Sequence, residues 1–124
     1  MTDKVINASA LAAVAFQEAE KHDIRAQLAG HRLCAPRLLR YEMANVCIKK
    51  MRQHPSQRTM LIAQHARSLS LTIDEFDVDQ SETLSHAYSL KLTAYDASYL
   101  WFTRHLGVEL VTLDGDLTET ATKS

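Results

Sequence analysis

Apolar positions in this chain fall into four short runs separated by longer stretches with helical spacing. Val5-Ile6, Leu33 to Ala35, "LTIDEF" and "VELVTL" read as strands. After the first, an Ala-rich helix is predicted from about Ala10 to Lys21, then a shorter one from Arg25 to Leu28 closed by Gly30. Pro36, a residue tolerated in a first turn, is expected to start a long helix reaching Gln53. Pro55 breaks it, and Ser56 is expected to cap the next helix, to about Leu69. Ser81 caps a predicted helix to Leu90, Thr93 begins another to His105 with Gly107 closing it, and "DGDLTETATKS" reads as a turn with a short terminal helix. Strands alternating with helices imply parallel βαβ units, hence a three-layer α/β/α sandwich with a central parallel sheet. No repeat, low-complexity segment or interior linker divides the sequence, so residues 1–124 read as one domain.

Composition narrows the picture only a little. With 124 residues, 46% hydrophobic and 23% charged, the chain suits one sizeable core rather than a disordered tail. A formal net charge of −1 means that any nucleic-acid partner must be met by a local patch. Cys34 and Cys47 form no CxxC pair and are expected as plain thiols in a reducing compartment, Cys47 as a small core residue. The six histidines lack metal-ligand spacing, which argues against a structural zinc site. No apolar run is long enough to span a bilayer. The stretch from Val5 to Phe16 is a poor signal-peptide core, because Asp3 spoils a basic start and Asn7 interrupts the run. A cytoplasmic location is the expectation.

The informative residues are acids that break the local pattern. On the helix after Pro36, Leu39, Met43, Val46 and Cys47 form one apolar stripe, and Glu42 falls between Val46 and Leu38. A carboxylate there is costly unless paired, metal-bound or at a cleft edge; the plain alternative is a Glu at the margin reaching solvent. Asp96 lies in the first turn of its helix, where Thr93-x-x-Asp96 could be a capping box. Asp114-Gly115 could be a turn, and Asp116-x-x-Glu119 a second capping box. Each acid taken alone suits capping or turn chemistry.

Topology favours a joint role. In open parallel sheets ligands gather beyond the carboxyl ends of strands, where Asn7 and Asp114 stand, and the helix opened by Asp96 should face the same rim. Converging carboxylates repel and call for a cation, and oxygen ligands favour Mg²⁺ or Mn²⁺ over zinc. Such a site suits phosphodiester hydrolysis.

In this order and at these distances, "VINASALAAV", "APRLLRYEMANV", "LTAYDASYL" and "LVTLDGDL" resemble a PIN-domain ribonuclease, most nearly the compact VapC-type toxins of bacterial toxin–antitoxin pairs. The resemblance implies a PIN-like fold and metal-dependent RNA cleavage. The family's acidic positions fall on Asn7, Glu42, Asp96 and Asp114, with Asp116 in support. Glu42, Asp96, Asp114 and Asp116 are then the catalytic candidates, and Asn7, Asp96, Asp114 and Asp116 the metal-binding ones. Ser9 and Thr112 match polar positions nearby. A homodimer and a cognate antitoxin that wraps the protein are implied as well.

The departure is Asn7, where the family pattern has Asp. Asn keeps a carbonyl oxygen and loses a charge; unit charges about 4 Å apart interact by about 4 kcal/mol at an effective dielectric near about 20. Metal affinity and turnover should suffer while the fold, for which Asn is a good helix cap, need not. The rival reading is a PIN-like scaffold that binds RNA or an antitoxin without cutting. A phosphate-accepting receiver domain would want paired acids after the first strand and a lysine after a late one, and neither is present. The basic residues Lys49, Lys50, Arg52 and Arg58, with Arg37 and Arg40, are candidates for RNA phosphate contacts or simply a solvated helix end. Trp101, Phe102 and Leu106 are candidates for a partner surface.

Overall fold

The computed structural model describes residues 3–122. Strand β1 (Asp3–Ile6) leads into helices α1 (Ala8–Ala15) and α2 (Lys21–Leu28). Strand β2 (Arg32–Pro36) is followed by α3 (Leu39–Gln53), a 3₁₀ turn (Pro55–Gln57) and α4 (Arg58–Ser68). After β3 (Ile73–Phe76) come α5 (Gln80–Leu90) and α6 (Ala94–Leu106), then β4 (Glu109–Val111) and α7 (Gly115–Thr122).

All strand pairs are parallel, in the order β3-β2-β1-β4, with Val5 opposite Cys34 on one side and Leu110 on the other. The chain steps from β1 to β2 to β3, then crosses back past β1 to β4. Right-handed crossovers therefore put α1 to α4 on one face and α5 and α6 on the other. The expected three-layer α/β/α sandwich is what forms. Its core joins Val5, Ile6, Cys34, Ala35 and Val111 of the sheet to Ala10–Ala13 of α1, Leu39, Met43 and Cys47 of α3, and Tyr99 and Phe102 of α6. Both cysteines are free and buried, as expected of plain thiols. Among the described residues no helix is long and apolar enough to cross a membrane.

Several element ends differ from expectation, each for a local reason. The Ala-rich helix stops at Ala15 rather than Lys21, because Gln17 adopts φ 57° and the Glu18 N–H turns back to the Ala13 carbonyl, a Schellman closure. Pro36 ends β2 instead of opening α3. At a strand end its missing N–H removes no further ladder bond, and the ladder passes to Arg37, whose N–H bonds Phe76 O. Ser56 lies inside the 3₁₀ turn, and Asp79, not Ser81, caps α5 by accepting the Glu82 N–H. Trp101 and Phe102 are buried, leaving Leu106 as the exposed member of that trio.

Candidate active site at the carboxyl rim of the sheet

The strand order reverses between β1 and β4, and open α/β sheets bind ligands at the crevice outside such a reversal. Asn7 follows β1 there and Asp114 lies just beyond β4. Asn7 is buried and caps α1: its Oδ1 accepts the Ala10 N–H at 3.3 Å and the Ser9 hydroxyl at 2.8 Å. Having spent its proton on Asn7, Ser9 Oγ receives the Thr112 hydroxyl at 3.2 Å, along with the Leu113 N–H at 2.9 Å. Thr112 Oγ1 in turn accepts the Asp114 N–H at 3.0 Å. Each hydroxyl has a single proton, so the donors run one way, from the β4–α7 turn towards Asn7 Oδ1. Ser9 and Thr112 are the clasp between the first and last strands.

Asp114 Oδ1 accepts the Leu117 N–H at 3.1 Å, so Asp114 rather than Asp116 caps α7. Asp116 lies exposed in the first turn of α7, and its carbonyl accepts the Thr120 hydroxyl. Thr93 caps α6 by accepting the Asp96 N–H at 3.1 Å. The reciprocal bond of a full capping box, from Asp96 back to the Thr93 N–H, does not form among the described residues, leaving the Asp96 carboxylate unspent. Glu42 is half-buried beside α6, where the Tyr99 hydroxyl donates to its Oε1 at 2.7 Å. The pattern of the sequence did not reveal Tyr99 as a site residue. The signal was its spacing, three residues after Asp96 and so on the same helix face.

The charges of these acids are felt from one to the next. Burial raises the Asp96 carboxyl above the ordinary carboxylate range, and the charge of Asp114 raises it further. Burial likewise raises Glu42; the Tyr99 bond opposes the rise and the charge of Asp96 adds to it. The Tyr99 phenol is pushed far up by burial, then by Glu42, and stays protonated as a fixed donor. Asp96 thus lies within electrostatic reach of Asp114, and Glu42 within reach of Asp96, a series of like charges. Among the described residues no three His, Cys, Asp or Glu side chains gather closely enough to hold an ion by themselves. In kind, the donors fit a hard divalent cation: all are oxygens, and their mutual repulsion is what such a cation relieves.

The basic candidates divide. Arg37 is paired with Asp77 at 2.9 Å and Arg40 with Glu75 at 2.5 Å, while Lys50 reaches Glu18 at 3.5 Å and lies over the Phe16 ring. Arg52 and Arg58 are exposed at the far end of α3 and the start of α4. Lys49 lines a cleft of about 840 Å³ whose walls also include Ser9, Glu42 and Tyr95, the residue before Asp96.

Comparison with known proteins agrees with the fold. None of the curated proteins matches the sequence. Among solved structures, PAE2754 from Pyrobaculum aerophilum superposes with a TM-score of 0.75 at 25% identity, covering 98% of this chain and 94% of that one. VapC20 of Mycobacterium tuberculosis, a toxin that cleaves the sarcin-ricin loop, superposes with a TM-score of 0.68 at 16% identity, covering 95% of each chain; this second likeness is one of fold alone. The model of the PIN-domain family matches residues 4–123, nearly the whole sequence, and on that match the chain belongs to the PIN-domain family.

Proposed function

We propose that the protein is a metal-dependent endoribonuclease of the VapC toxin type. The observation that carries this reading is the like-charge series Glu42–Asp96–Asp114 at the strand reversal of a PIN-domain chain. PIN domains are generally nucleases, and VapC20, which shares the fold, cuts RNA. Glu42, Asp96 and Asp114, with Asp116 and the Asn7 carbonyl oxygen in support, would hold Mg²⁺ or Mn²⁺. Such an ion, when bound, supplies a Lewis acid that makes water nucleophilic and offsets charge on the phosphate oxygens. Tyr99 fixes the rotamer of Glu42, and the donors ending on Asn7 hold the β1 and β4 ends together beneath the site.

Asn7 bears most directly on activity. Its Oδ1 already receives two donors at a helix N-terminus, an environment that favours an anion. An Asp there would keep both bonds and put a second carboxylate oxygen where the amide nitrogen stands. Asn7→Asp is therefore expected to raise Mg²⁺ affinity by about tenfold or more, about 1.4 kcal/mol, and to raise RNA cleavage with it. Calorimetric metal titration and a cleavage assay on both versions, with Asp96→Asn as the inactive control, test the proposal. Equal affinity and equal activity with Asn or Asp at position 7 would leave Asn7 a helix cap and nothing more. Cleavage by neither version, with RNA still bound, would favour a PIN scaffold that binds without cutting, a reading to which the missing charge at Asn7 lends weight.

The same reading takes in a cytoplasmic location, a homodimer and a cognate antitoxin. Leu84, Tyr88 and Leu90 leave large apolar area exposed on α5, which supports a covered face. Light scattering at tens of micromolar is expected to give twice the chain mass, and a monomer there would count against the dimer.

A further inference from the structure

Helix α3 presents one stripe to the cleft described above. Tyr41, Asn45, Lys49 and Gln53 are four residues apart, all exposed, and all line it. Successive members are therefore about 6 Å apart along the helix axis. Tyr95, beside Asp96 at the start of α6, lines the same cleft. Tyr41 is 74% exposed and Tyr95 63%, a wasteful placement for two aromatic side chains unless something covers them. Among the described residues neither hydroxyl has a hydrogen-bond partner and neither ring stacks on another, and Lys49 has no carboxylate partner, unlike Lys50 beside it. Glu42, one residue after Tyr41, lines the same cleft, and Tyr95 is followed by Asp96.

We propose that this stripe is a track for unpaired RNA, in which bases stack on Tyr41 and Tyr95 while Lys49 pairs with a phosphate, delivering the strand to Glu42 and Asp96. The inference deepens the ribonuclease reading and rests on it for the identity of the polymer. Two free ring faces, two amides and one uncommitted ammonium beside carboxylates match a single strand, whose bases are open on their faces. They do not match a duplex, whose bases are already stacked on each other. Neither tyrosine reads a base edge, so the track takes many sequences; the amides of Asn45 and Gln53 are the groups able to discriminate among bases.

Fluorescence anisotropy of a short labelled single-stranded oligoribonucleotide, in EDTA so that nothing is cut, tests this on the full chain. Tyr41→Leu and Tyr95→Leu are each expected to weaken binding about fivefold or more, the lower bound for losing one stacked base. Tyr41→Phe, which keeps the ring, should bind like the unaltered chain. Lys49→Gln should weaken binding and reduce the salt slope by about one phosphate contact. The same sequence as a duplex should bind more weakly and ignore the tyrosine changes. Both side chains are exposed, and thermal melts check that the variants fold. Unchanged single-strand affinity in both leucine variants, preference for the duplex, or no measurable single-strand binding by the intact chain would each overturn the track. Tyrosine-dependent binding with no cleavage in Mg²⁺ by either the unaltered chain or Asn7→Asp would uphold the track and overturn the nuclease reading. Cleavage with both leucine variants unaffected would do the reverse.

Discussion

Burial and the neighbouring carboxylate hold the Tyr99 proton tightly, and its hydroxyl donates at 2.7 Å to the half-buried Glu42. Tyr99→Phe keeps the ring in the core and removes only that donor. It is expected to cost about 1–3 kcal/mol in urea unfolding and to move the Glu42 carboxyl still higher in an NMR titration, because the one contribution holding it down is lost. At this scale the sequence showed the acids through their misfit: Glu42 beside an apolar stripe, Asp96 in a first turn, Asp114 after a strand. It did not show which oxygen of each was already spent on the backbone. That depends on rotamers, and it is why Asp114 caps α7 where Asp116 looked equally suited, while Asp96 leaves its capping to Thr93.

Helix ends divide into those written in a residue type and those written only in the backbone. Gly107 closes α6 at φ 67°, and glycine's freedom in the left-handed region made that end readable. Gln17 and Lys91 do the same work for α1 and α5 at φ 57° and 56°, without the glycine signal. The break after α1 was therefore invisible in an unbroken helical pattern, and the Pro36 error came from a residue that suits both a strand end and a helix start. Two substitutions check the principle in opposite directions. Lys91→Gly is expected to stabilise by about 1 kcal/mol, a rise of about 3–5 °C in melting temperature, by relieving the left-handed strain. Gly107→Ala is expected to destabilise by about 1 kcal/mol, although a Cβ there meets nothing within 4 Å, because the backbone conformation alone resists it.

Across the whole molecule the acid series makes stability depend on pH. Glu42 and Asp96 hold their protons more tightly in the folded chain than in the unfolded one. The stability this contributes is fully present below the unfolded carboxylate values and is lost as pH rises through the folded ones. The metal-free chain should therefore show a urea midpoint that falls as pH rises from the ordinary carboxylate values through the raised folded ones. Asp96→Asn should flatten that fall, since it removes one titrating group and the charge that raises the other. Added Mg²⁺ should restore the midpoint at neutral pH by binding the native state alone. The layer order and the rim were legible from strand–helix alternation. The cleft was not, because it is framed by the exposed edge of α3 and by Tyr95, and exposure leaves no hydrophobic period to read.

The Ser9–Thr112 clasp joins residues 103 positions apart. A ribosome adds about 5–20 residues per second, so roughly 5–20 s separate the emergence of its two halves. Throughout that interval β1 has no β4 beside it, and Asp114 does not yet exist to complete the series with Asp96 and Glu42. A nascent chain with the proposed activity is thus unarmed towards the ribosome translating it, and acquires its cutting edge only when the last strand docks.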